Sequence, residues 1–227
     1  MQAKIRRTIE WLRHHGVLSF AVIALFIFSF RSVVADWNHV PTGSMNPTIL
    51  EGDTVFVNRL AYDVRVPFTT ISLYKRDDPA YADVIIFYSP ENGDRLVKRV
   101  IARPGDTVEV RQGLVMLNGK PLHYNEIASD ESKAQDRYGP HHQLSEFLGG
   151  RGHEIFTRPH VRDFGPVVVP AEHYFVMGDH RDNSADSRYI GFIPRGQILG
   201  RATGILVSLN SLEYYQPRWQ RFFEFPL

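Results

Sequence analysis

Three short stretches of the chain carry side chains that could do covalent chemistry. The first is Pro41-Thr42-Gly43-Ser44-Met45-Asn46-Pro47-Thr48. A serine acts as a nucleophile from a rigid, exposed perch, and the residues around Ser44 supply one. Gly43 permits a positive φ or a close approach by substrate, Pro47 fixes its own φ, and Asn46 is pushed out of the helical region. The same spacing suits a surface turn in which Ser44 or Thr48 caps a short helix.

The second stretch is Leu96-Val97-Lys98-Arg99-Val100-Ile101. As a strand it puts Leu96, Lys98 and Val100 on one face and Val97, Arg99 and Ile101 on the other. Either base could run its stem along apolar surface to water. A catalytic reading needs the lysine, because an amine can lose its proton and a guanidinium cannot. A free lysine with a pKa of about 10.4 is neutral in only about one molecule in 2,500 at pH 7. Burial can lower that value; a drop of about 3 units costs roughly 4 kcal/mol, within reach of a folded core. A neutral Lys98 beside Ser44 would be a general base for acyl transfer.

The third is Gly178-Asp179-His180-Arg181-Asp182-Asn183-Ser184-Ala185-Asp186-Ser187-Arg188-Tyr189, a polar loop after an apolar run. Asx turns and ion pairs in a solvated loop would account for it. A calcium loop beginning at Asp182 fails, since Ser187 stands at the glycine position and Ile193 at the bidentate glutamate position. A Ser-His-Asp triad through His180 with Asp179 or Asp182 is a rival arrangement that no spacing singles out.

The elements that must position these groups read as β-structure. Short β-prone runs occupy Thr54 to Val57, Val84 to Tyr88, Leu96 to Ile101, Thr107 to Val110, Leu114 to Leu117, Val167 to Val169, Tyr174 to Met177 and Ile205 to Leu209. Gly52-Asp53 and Pro104-Gly105-Asp106 signal turns, and Asn118-Gly119 a hairpin tip. Residues 62–79 form a polar and aromatic excursion, an extended hairpin. Residues 123–164, rich in Gly and His, read as a loop-rich insertion. The expected fold is mostly β: an antiparallel-sheet core from 36–106 and 173–227, with 107–172 as an inserted, loop-rich β subdomain.

With 26 basic and 25 acidic side chains the net charge is +1, which argues against a nucleic-acid partner. The absence of cysteine excludes disulfides and thiolate metal sites but leaves the compartment open.

At the other end of the chain, residues 16–30 are uncharged and apolar, preceded by Lys4, Arg6, Arg7 and Arg13 and followed by Arg31. Extended to Ala35, the run reaches roughly the 30 Å of a bilayer core. A cleaved signal peptide ending at Val33-Val34-Ala35 and a buried soluble helix compete with a membrane span. The basic flank favours the span, with 1–15 cytoplasmic, 16–35 a transmembrane helix, and the remainder across the membrane. The aromatic tail from Trp219 to Leu227 either touches the membrane interface or packs as a last core element.

Taken together, the anchor, the 41–48 stretch, Gly52-Asp53-Thr54-Val55, Arg95 to Ile101 with Pro104-Gly105-Asp106, and Gly178 to Gly191 resemble the bacterial type I signal peptidases. The likeness covers motifs in matching order, with little contribution from 107–172. It implies a Ser/Lys-dyad serine peptidase of the bacterial inner membrane, with its catalytic domain on the outer or periplasmic face and no metal or organic cofactor. By position, Ser44 would be the nucleophile and Lys98 the base. Ser184 would orient the lysine, and the Ser44 amide with the Thr42 hydroxyl would form the oxyanion hole. Asp186 and Arg188 would brace the site, and Met45 would line the substrate cleft. Substrates would be signal-peptide-bearing preproteins with small side chains one and three residues before the cut. His180 departs from the usual asparagine and Ile190 from a common aromatic. Two other readings are a self-cleaving Ser/Lys repressor, for which a DNA-binding module is lacking, and a membrane-anchored β-domain adaptor.

Overall fold

The computed structural model describes residues 16–25, 27–29, 32–69, 71–127, 135–136, 139–158, 163–211, 213–225 and 227. The basic segment expected over 1–15 and the Arg31 flank lie outside them. Residues 16–25, 27–29 and 32–33 are helical, with Phe20 and Leu25 well exposed. Among the described residues no helix is long and apolar enough to cross a membrane. The chain is extended from Ala35, so the last residue assigned to the expected span begins a strand.

That strand, β1 (Ala35–His39), is followed by β2 (Asp53–Asn58), a hairpin of β3 (Asp63–Arg65) and β4 (Ser72–Lys75), β5 (Val84–Tyr88) and β6 (Arg95–Ala102). Next come β7 (Thr107–Arg111), β8 (Leu114–Leu117), β9 (Lys120–Pro121), β10 (His123–Glu126), β11 (Gln135–Asp136) and β12 (Gly139–Pro140). The chain closes with β13 (His142–Leu148), β14 (Arg151–Thr157), β15 (Phe164–Val168), β16 (His173–Met177), β17 (Ile193–Pro194), β18 (Ile198–Asn210) and β19 (Gln216–Pro217). The main sheet runs β1-β2-β18-β5-β6-β16-β17, with β19 on β18, and its pairings are antiparallel.

β5 explains why this sheet is covered on both faces. Its residues Val84 to Phe87 are all buried: Val84 and Ile86 pack with Met45, Ile49, Val55 and Val97, while Ile85 and Phe87 pack with Tyr62, Val100 and Tyr174. Side chains alternate along a strand, so an unbroken apolar run belongs in the centre of a doubly covered sheet. Each such side chain contributes about 1.5–3 kcal/mol. A third apolar cluster joins Ile101, Phe175 and Met177 to Val108, Val110 and Val115 of the β15-β7-β8-β9 sheet.

Two expectations need correction. β18 is 13 residues long, beginning well before Ile205. Gly200 marks a close backbone approach, because a Cβ there would lie 2.6 Å from the Asn58 carbonyl oxygen, and Gly204 makes room for the Phe225 ring. The loop-rich reading of 123–164 also fails for the described part, where β10, β13 and β14 form an antiparallel sheet. Gly149 and Gly150, both at positive φ, turn the β13-β14 hairpin. Polar composition misled here because the polar groups are satisfied internally. Buried Glu146 accepts from Tyr124 at 2.6 Å and pairs with Arg181 through both oxygens.

Candidate active site

Ser44 lies in the loop joining β1 to β2. The loop is closed where Val40 N–H donates to the Asp53 carbonyl and Gly52 N–H to the Val40 carbonyl, at 2.8 and 2.9 Å. Within it Asn46 N–H donates to the Gly43 carbonyl (3.1 Å) and Ile49 N–H to the Met45 carbonyl (2.9 Å). Met45 and Ile49, both fully buried, fasten the turn to the core. On the far side, Arg221 donates to the Thr48 carbonyl and to Asp53.

β6 brings Lys98 to this turn. Lys98 is 3% exposed and its Nζ is hydrogen-bonded to Ser44 Oγ at 2.6 Å. Burial drives its pKa down from an ordinary lysine's 10.5 to about 8, against the opposing pull of Asp186 and Asp179. About one amine in ten is then neutral at pH 7, a gain of more than two orders of magnitude over a solvated lysine.

The loop after β16 closes the site from the other side. A Cβ on Gly178 would come within 2.3 Å of both the Ser44 carbonyl oxygen and Ser184 Oγ, so only glycine fits there. Its N–H donates to Asp186 Oδ2 at 3.0 Å. Arg188 grips the Asp186 carboxylate through Nε (2.8 Å) and Nη2 (2.7 Å), and also donates to the Arg181 carbonyl. The Ser184 hydroxyl is buried with no hydrogen-bond partner among the described residues. His180 N–H donates to the Ser44 carbonyl, and its ring Nδ1 lies 3.2 Å from the Gly43 carbonyl oxygen.

Next to Lys98 in β6, Arg99 turns to a different partner. It donates to Asp179 through Nε (2.8 Å) and Nη2 (2.6 Å), and the Thr48 hydroxyl reaches the same carboxylate at 2.6 Å. Burial would raise the Asp179 pKa, but the Arg99 charge and hydrogen bonds, helped by Thr48, hold it below the ordinary carboxylate range. Asp179 is thereby committed to Arg99, and His180 to the backbone of the turn. The Ser44 hydroxyl faces the lysine rather than a His-Asp couple.

Of the residues singled out by sequence, Ser44 and Lys98 meet, Asp186 and Arg188 pair, and Ser184 packs against Gly178. Thr42 is exposed beside buried Gly43. Met45 is fully buried, so its side chain offers no surface to a cleft. Sequence reading missed the Thr48–Asp179–Arg99 cluster and the demand for glycine at 178. Arg99 and Asp179 both stand inside motifs already marked, yet their pairing follows only once β6 and β16 are neighbours, with Met177 opposite Arg99.

Residues 10–207 match the family model described as signal peptidase, peptidase S26. Signal peptidase I of Pseudomonas aeruginosa is 32% identical over 205 residues, covering 84% of this chain and 71% of that protein. Its counterpart in Pseudomonas fluorescens is 31% identical over the same length and shares. A crystal structure of a signal peptidase I from Enterococcus faecalis is 28% identical and covers 56% of this chain and 98% of its own, with a TM-score of 0.38.

Proposed function

The chain belongs to the signal peptidase family, peptidase S26, and from that premise we propose that it removes signal peptides from exported preproteins with Ser44 as nucleophile and neutral Lys98 as general base. The observation that carries the reading is the 2.6 Å contact between Lys98 Nζ and Ser44 Oγ, with the amine 3% exposed. Lys98 takes the proton from Ser44 as Oγ attacks the carbonyl carbon of the scissile peptide bond. The Ser44 N–H and the Thr42 hydroxyl hold the negative charge that develops on the carbonyl oxygen. The lysine ammonium then protonates the leaving amine, the peptide bond breaks and an ester remains on Ser44. Water, giving its proton to Lys98, hydrolyses the ester and restores the serine.

The remaining residues support this cycle indirectly. The buried, unpartnered hydroxyl of Ser184 is available to orient the Lys98 amine. Asp186 and Arg188 hold the Gly178 backbone, and with it the wall behind Ser44. Residues 36–106 and 173–227 serve as the catalytic core and 107–172 as an inserted subdomain.

The protein works at the bacterial inner membrane, held by a single N-terminal span with its N-terminus in the cytoplasm and its catalytic domain on the outer face. The exposed apolar side chains Val17, Leu18, Phe20, Val22, Ile23 and Leu25 support this reading. An anchor places enzyme and substrate in one bilayer and raises their effective concentration without new contacts.

The test is incubation of the full chain in detergent with a synthetic signal-sequence peptide. Wild type should cut it after the small residue that ends the signal, and Ser44→Ala should leave it intact. Equal cleavage by both proteins would overturn the assignment.

A further inference from the structure

We propose that His141, His180 and Asp182 form a zinc-type metal site that staples the inserted segment to the loop gripping the Ser44 turn. It is separate from the reacting atoms. One donor atom from each residue lies within 4.8 Å of the other two. Asp182 Oδ2 is 3.6 Å from His141 Nδ1 and 3.9 Å from His180 Nε2. Zinc bonds of about 2.0–2.2 Å put the donors around one tetrahedral ion roughly 3.3 Å apart, so the two separations from Asp182 must each close by about half an ångström and the His141–His180 separation, within 4.8 Å, by up to about 1.5 Å.

The hydrogen bonds around the rings present the correct atoms. His180 Nδ1 lies 3.2 Å from the Gly43 carbonyl oxygen, which can only accept, so Nδ1 carries the hydrogen. The Nε2 side of the ring then faces Asp182, 3.9 Å away. A backbone carbonyl holding the far nitrogen of an imidazole is the usual outer support of a metal-bound histidine. His141 Nδ1 accepts from Arg158 Nε at 3.3 Å, so its lone pair also faces the cluster. The two rings stand edge to face at 4.5 Å, with His141 stacked on Phe156, and both imidazoles are fully buried. Such walls fix the donors before any ion arrives. Two imidazole nitrogens and one carboxylate oxygen favour zinc or its cobalt surrogate over magnesium or calcium, which prefer oxygen.

Arg158 is the competitor. Its Nε is 2.9 Å from Asp182 Oδ2, on a side chain 38% exposed. It supplies the positive charge that the carboxylate faces, and it can swing into solvent to admit a cation. An ion bound here joins His141, just before β13, to His180, whose N–H donates to the Ser44 carbonyl. The site therefore touches the nucleophile turn through the His180 N–H and its ring Nδ1, both directed at backbone carbonyls of the turn.

The experiment is titration of the tag-free full chain in detergent with Co²⁺, followed by its visible absorption, with Zn²⁺ added afterwards as displacer. Wild type should develop the intense bands of a four-coordinate ion, which Zn²⁺ removes. Asp182→Asn, a nearly isosteric change at the rim, and His141→Ala should each weaken binding at least about tenfold. Arg158→Ala should tighten it, because the competing cation is gone. Absence of the bands from both wild type and Arg158→Ala would overturn the proposal. So would bands of unchanged affinity in Asp182→Asn and His141→Ala, or an Arg158→Ala affinity no better than wild type.

Discussion

Arg99 and Asp179, 80 residues apart in sequence, face each other in a buried two-pronged ion pair with contacts of 2.8 and 2.6 Å. The Thr48 hydroxyl joins the same carboxylate, so the pair binds β6, the loop after β16 and the Ser44 turn at one point. Lys98 and Arg99 thus divide two tasks that adjacent bases would otherwise share. Arg99 keeps its charge and is fully compensated, while Lys98 sits where charge is costly.

Removing one member of the ion pair leaves the other charged and buried. Arg99→Met should destabilise the fold by about 3–5 kcal/mol in urea unfolding. The double variant Arg99→Met with Asp179→Leu should recover most of that loss, since a buried pair replaced by apolar groups is often neutral. A double variant no more stable than the single one would show that the pair holds the fold by geometry beyond charge compensation.

Lys98 costs the protein stability. Its folded pKa of about 8 lies below the unfolded 10.5, so between those values the unfolded chain binds the extra proton and stability rises with pH. The penalty, about 3 kcal/mol, is full below pH 8 and vanishes above 10.5. Lys98→Met should therefore be inactive yet more stable than wild type near neutrality, with the advantage disappearing as pH approaches 10.5. Parallel stability curves for the two proteins from pH 7 to 11 would contradict this.

Asp186 is the strongest influence opposing the depression of Lys98. Asp186→Asn should lower the amine pKa further and move the acid limb of the pH-rate profile to lower pH. Whatever rate survives the loosened Arg188 contact, the direction of that shift is the readout, measured with a signal-sequence peptide. A shift to higher pH would mean that Asp186 acts on the amine by some route other than its charge.

Thr42 stands exposed beside the buried Gly43 and Ser44. If its hydroxyl holds the oxyanion, Thr42→Ala should cost on the order of 10²–10³ in kcat and little in stability, whereas Thr42→Ser should be mild. Equal losses in the two variants would point to the β-branched methyl group rather than the hydroxyl.

Much of this was legible in sequence, and the misses have causes. β-Prone runs and turn residues marked β5 and β8 with their observed ends, and Asn118-Gly119 turns with both φ angles positive. Chemistry marked Ser44 and Lys98, because few residue pairs can act as nucleophile and neutral base. What failed were places where tertiary packing reverses a local signal. The part of β18 before Ile205 carries Gly200 and Gly204, where the Asn58 backbone and the Phe225 ring come too close for a Cβ. Polar residues in β13 read as loop, but Glu146 is buried against Arg181 and Tyr124. Met45 looked like a cleft residue and is core, since the turn must be fastened from below to hold Ser44.

The central claim is that the Lys98 amine is neutral often enough to deprotonate Ser44. It is tested most directly by following the Lys98 side-chain NMR signals, with Ser44 present and with Ser44→Ala, across pH 6 to 12. The account predicts a midpoint near 8 for Lys98, well apart from the other lysines. A midpoint near the ordinary 10.5 would contradict it.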